Sequence, residues 1–88
     1  MKMIKLMLLM NNQILISQIE EVTSELGEPD CKLINPFTVK NSEFGNTLEP
    51  FLIGVTKQNT FMISSDKILT LADPTPTLLE KYEDLIKE

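Results

Sequence analysis

A chain of 88 residues with 13 acidic and 8 basic side chains carries a formal net charge of −5 and is the size of one small domain. All eight bases are lysines, there is one cysteine, and His, Trp and Arg are absent; this argues against imidazole-based general base or zinc chemistry and excludes an internal disulfide. The negative field repels a phosphate backbone, so any nucleic-acid role must rest on a local patch. The composition is 42% hydrophobic, too apolar for intrinsic disorder. At this length folding buries only about 60–65% of the extended surface, which leaves a marginal monomer and makes self-association an expectation.

In chain order, Met3, Lys5 and Met7 alternate with Ile4, Leu6 and Leu8, a period of two that predicts a strand over residues 3–10. Met1 and Lys2 give this segment a basic flank like a secretion signal. Its unbroken apolar run ends after five residues at Asn11-Asn12-Gln13, too short for a signal or for a span of about 20 residues. Asn11-Asn12 predicts a tight turn, because Asn tolerates positive φ, and a second strand follows over 13–22. Ile14 and Ile16 share one face, whereas Ile19 falls on the other parity; this shift predicts a bulge or bend near Ser17 and Gln18.

Residues 23–30, with Ser24, Gly27 and Pro29 among acids, predict an exposed turn, and Cys31 opens a third strand over 31–39. Pro36 lies within it and donates no ladder hydrogen bond, so it marks an edge or a bulge. Residues 40–49 contain Asn41, Ser42, Gly45 and Asn46 and are expected to form a loop in which Phe44 is the large apolar residue. Strand-like runs over 50–63 (Pro50 to Val55, then Thr60 to Ile63 after a turn) and over 67–72 complete the β content. The period then changes. Leu78, Leu79, Tyr82, Leu85 and Ile86 recur at helical spacing, with a capping-box pattern at Thr77 and Glu80, and predict a helix over 78–87. A helix of this length needs a surface to dock on, either its own barrel or a partner. Consecutive short strands without intervening helices indicate an all-β barrel or sandwich.

A hairpin that bends midway, further strands, and Ile63-Ser64-Ser65-Asp66-Lys67-Ile68 between the last two resemble the Sm-like family. There a short Ile-Arg-Gly-Asp/Asn-x-Ile/Val motif joins those strands, and Ile63, Asp66 and Ile68 fall on its framework positions. Leu9-Met10-Asn11-Asn12 is similar to that family's Leu-x-Asn-Gly turn. Ile4-Lys5-Leu6, Ile19-Glu20-Glu21, Leu33-x-Asn35-Pro36 and Ser65-Asp66-Lys67-Ile68 are also similar to segments of small proteins of marine cyanophages. The resemblance implies a single small five-stranded, bent Sm-like (SH3-like) barrel with one C-terminal helix. It further implies a closed ring of roughly five to seven copies. In that ring Thr60, Phe61, Met62 and Ile63 of one copy pair with Ile68, Leu69, Thr70 and Leu71 of the next, and Ile68→Asp would break the contact.

Two functions follow as expectations. In the first, single-stranded RNA lies on the ring and is contacted by Ser64, Ser65, Asp66 and Lys67, with Asn11 and Lys32 nearby, each weak contact repeated once per subunit. The family's arginine and glycine are here Ser64 and Ser65, and its Asp-x-aromatic-x-Asn stretch after the second strand has no counterpart in 23–31, so the usual base-stacking pocket is missing. In the second, the ring is structural or binds proteins through apolar residues such as Phe44, Phe51 and the helix stripe. Enzymatic chemistry is not expected. Glu20-Glu21 and Glu83-Asp84 are adjacent and diverge in direction, no glycine-rich phosphate loop exists, and Cys31 lacks an activating partner. No cofactor, metal or membrane partner is expected, and the unpaired cysteine suits a reducing cytoplasm.

Overall fold

The computed structural model describes residues 3–22, 25, 29–43 and 45–87. The alternating first segment forms β1 (Ile4–Leu9), and a turn at Met10–Asn12 leads into β2 (Ile14–Glu21). Asn12 adopts φ 65°, and the Asn11 side-chain oxygen accepts the Gln13 N–H at 3.0 Å, so both asparagines do what the turn requires. β3 (Cys31–Ser42), β4 (Gly45–Pro50), β5 (Thr60–Ile63), a 3-10 turn (Ser65–Lys67), β6 (Ile68–Ala72) and α1 (Pro76–Ile86) follow. The protein is mainly β with one C-terminal helix. Its strands form one antiparallel sheet in the order β4-β3-β2-β1-β6, and β5 pairs with the first half of β3.

The irregularity falls opposite Ser17 but in β3, where Pro36 marks it, and not in β2 as the parity of Ile16 and Ile19 predicts. Ile16 pairs with Phe37 and Gln18 with Ile34, so β3 spends one residue more than β2 across this interval. The surplus lies at Asn35 and Pro36. Asn35 takes φ 53°, its N–H donates to Asn59 O at 2.7 Å, and Pro36 has no N–H to leave unpaired. Along β3 the bulge turns Leu33 and Phe37 to opposite surfaces, whereas β2 alternates without a break, with Leu15 and Ile19 on one face and Ile16 on the other. Met7, Leu9, Leu15, Ile19 and Leu33 form one buried core; Ile16 joins Leu78 and Tyr82 in a second, flanked by Phe37, Val39 and Leu48. The helix docks on its own sheet and closes this second core.

Tyr82 connects helix and bulge. Its ring is fully buried and meets Phe37 edge to face, with centroids 5.8 Å apart. Its hydroxyl accepts the Gln18 N–H at 3.1 Å and aims its proton at the carbonyls of Ile34 (3.1 Å) and Asn35 (2.9 Å). These are backbone groups beside the bulge, and a buried one left without a partner is costly. Ser17, also fully buried, places its Oγ 2.8 Å from Gln18 O and 3.1 Å from Ile34 O.

Three expectations need correction. Residues 40–49 are not a loop: β3 runs on to Ser42 and returns as β4, with Lys40 opposite Thr47 and Asn41 opposite Asn46. Polar residues hold this hairpin because Leu48 packs against the second core and Lys40 bridges Glu49 at 3.2 Å. Phe51 to Val55 is conversely not a strand. Leu52 at φ 58° and Gly54 at φ 84° wind it into successive turns, closed by Ile53 N–H to Pro50 O and Val55 N–H to Leu52 O. The fourth strand is thus divided, and the sheet has six strands rather than five. The helix begins earlier than its capping-box pattern predicts, with Thr75 as N-cap accepting the Leu78 N–H at 3.3 Å and Pro76 in the first turn, where its missing donor costs nothing. Phe44 and most of the acidic 23–28 segment lie outside the described residues.

Candidate functional site

The residues expected at a subunit contact lie on the two margins of the sheet. β4 and β5 pair with successive stretches of β3, the first with 37–42 and the second with 31–34, and together make one margin; β6, paired only with β1, makes the other. Among the described residues no strand pairs with the outer side of either, which leaves backbone donors and acceptors available for another strand. Neither β5 nor β6 contains an ionisable side chain.

The side chains on these margins divide unequally. Phe61 and Ile63 oppose Leu33 and Cys31 in the ladder and are partly buried, whereas Met62, opposite Lys32, is 49% exposed. On β6, Ile68 opposes Leu9 and packs against the first core, so Ile68→Asp would attack the protomer itself and not only a contact. A bulge at Leu69 changes the register, after which Leu71 opposes the fully buried Met7. Leu71 therefore lies on the core side of the sheet, yet it is 53% exposed, and Leu69 is 57% exposed. Among the described residues nothing covers either.

The residues expected to contact RNA are only partly gathered. Met10 N–H donates to Lys67 O at 3.2 Å, which sets the Asn11 turn beside Ser64–Lys67. Lys32 stands instead on β3, with its ammonium 4.0 Å from Glu20. Ser65 is already occupied: its N–H and Oγ both donate to the Asp30 carboxylate, at 2.7 Å each. Asp30 and Asp66 together outnumber Lys67, so this end of the sheet is locally acidic. Sequence reasoning missed Asp30, because nothing in its neighbourhood reveals a partner 35 residues away.

The Ser65 hydroxyl, and then its backbone N–H, lower the Asp30 pKa below 3.8. A carboxylate with a depressed folded pKa stabilises the contact above 3.8, and the contact is lost as pH falls through the folded value. The Ser65 amide shift followed by NMR should titrate with a midpoint below 3.8 and lose the transition in Asp30→Asn; a midpoint at or above 3.8 would contradict the contact. Burial, followed by the charges of Asp30 and Glu21, pushes the Cys31 thiol upward, so it is held as the unreactive thiol at the start of β3. No group of three or more His, Cys, Asp or Glu among the described residues is placed to hold a metal ion. No helix among them is long and apolar enough to cross a membrane.

The fold and margins thus define a small, mainly β domain whose sheet, among the described residues, has an unpaired edge on both sides. The chain belongs to a family of unknown function, DUF6561, whose profile matches residues 2–87. No curated protein matches it.

Proposed function

We propose that this protein is a self-assembling structural or protein-interaction subunit of Sm-like architecture, completed by β5 of one copy pairing with β6 of the next in a closed ring. The exposure of Leu71 carries this reading. It sits across from fully buried Met7 on the core side of the sheet and is 53% exposed, as an apolar residue is when the strand that should flank it belongs to another chain. The bend at the Asn35 bulge and the 3-10 turn between the last two strands support the Sm-like assignment. The RNA role loses support from Ser65 being occupied by Asp30, from Lys32 facing Glu20, and from the acids that outnumber Lys67. A site of this kind lacks the unopposed cations and stacking surfaces that single-stranded RNA requires.

Hydrogen exchange in dilute and in concentrated protein tests both parts. Peptides spanning Thr60–Ile63 and Ile68–Ala72 should gain protection with concentration, while those in β2 stay unchanged. Labelled oligo-U added at low salt should neither bind nor alter the pattern. Equal exchange at both concentrations would overturn the assembly, and salt-sensitive oligo-U binding would restore the RNA reading.

A further inference from the structure

Across the sheet from the first core, β1, β2 and β6 enclose an apolar groove of about 220 Å³ lined by Leu6, Met7, Leu8, Ile14, Thr70 and Ala72. Thr70 and Ala72 reach it because they oppose Leu8 and Leu6 in the β1–β6 ladder, and Ile14 because it opposes Leu8 in the β1–β2 ladder. Helix α1 packs around Ile16, Ile4 and Leu6 farther along this surface and leaves Ile14 39% exposed. The groove lies directly beside the unpaired edge of β6.

The opposite margin carries a matching projection. Strand alternation turns Phe61 and Ile63 toward the first core, so Met62 stands on the outer surface, the same surface that bears the groove. At 49% exposure it is not seated by the described residues of its own chain. We infer that Met62 of one copy fills the groove of the next, so that each socket is completed by a side chain from its neighbour. This rests on the edge pairing proposed above and adds the side-chain contact that would fix its register. When β5 is laid antiparallel beside β6 with the sheet surfaces continuous, Met62 stands alongside Thr70 and Ala72 and over the groove. An unbranched thioether adapts to such a space.

Charge identifies the occupant as a second copy rather than an unrelated acidic or basic partner. Two chains of net charge −5 repel one another, so their contact must avoid ionisable groups. Thr60–Ile63, Ile68–Ala72 and the six groove residues contain none. A basic partner would find no acid there, and an acidic one no lysine.

A charge exchange tests the contact in the full chain. Met62→Lys and Thr70→Glu should each weaken assembly by about tenfold or more, read by light scattering, because each sets a charge against an apolar surface. The double variant places the introduced ammonium of one copy against the introduced carboxylate of the next and should recover the assembly. Far-ultraviolet circular dichroism should be the same in all four proteins. If both single variants assemble like the parent chain, or if both dissociate and the double variant stays dissociated, the socket is overturned while edge assembly stands. A parent chain that is itself monomeric at high concentration would overturn the assembly and the socket together.

Discussion

Tyr82→Ala should lower the unfolding free energy by about 3–5 kcal/mol. For 88 residues the whole stability is of order 5–13 kcal/mol, so this one loss reaches a large fraction of it. Two contributions combine. The ring fills the space between α1 and the sheet against Phe37, and the hydroxyl serves three backbone groups beside the bulge. Tyr82→Phe separates them: it keeps the ring and strips the hydroxyl, at a cost of about 1–3 kcal/mol for buried groups left unsatisfied. Urea titration should show both variants with lowered midpoints, Ala more than Phe, and an unchanged slope for Phe. A Phe variant as stable as the parent would mean that water or backbone relaxation serves the bulge equally well. Alkaline pH should act on the same group. Burial raises the Tyr82 pKa above 10.0, opposed in part by hydrogen bonding near Gln18 and Ser17. The stabilisation is complete below pH 10.0 and declines as pH rises through the folded-state value.

The second large effect is a contrast between neighbours on β6. Ile68 packs against the core of Met7, Leu9 and Leu33, and Ile68→Asp would set an uncompensated charge there, a cost of about 3–5 kcal/mol that should unfold much of the population. Leu71 is half exposed, and Leu71→Lys should leave the thermal unfolding of the isolated protomer within about 0.5 kcal/mol of the parent while abolishing assembly. Thermal melts and light scattering on the two variants read these outcomes independently. Should Leu71→Lys assemble normally, the margin formed by β6 is not a contact.

The bulge in β3 was legible from Pro36, which donates no ladder hydrogen bond. The change of parity between Ile16 and Ile19 has a regular explanation, since Leu15 and Ile19 share the first core while Ile16 faces the second; it was Pro36 that marked the surplus residue, beside the place where Asn35 now adopts positive φ. The helix was legible from its apolar stripe, although Thr75 rather than Thr77 caps it because Pro76 suits the first turn. The β3–β4 hairpin was not. Asn41, Ser42, Gly45 and Asn46 have turn chemistry, and only pairing with a neighbour and the burial of Leu48 make strands of them. Phe51 to Val55 misled in the opposite sense: its apolar run has strand composition, but Leu52, Ile53 and Val55 are exposed in turns. Of the candidate site, the margin strands could be located from the order of elements. The occupation of Ser65 by Asp30 and the exposure of Leu71 could not, since both depend on contacts distant in sequence.

In the proposed assembly neighbouring copies complete the open margins of this sheet. Native mass spectrometry of the purified chain at micromolar concentration tests it most directly. A single closed species of roughly five to seven copies is expected, with no ladder of intermediate sizes. A spectrum containing only the 10.0 kDa monomer would contradict it.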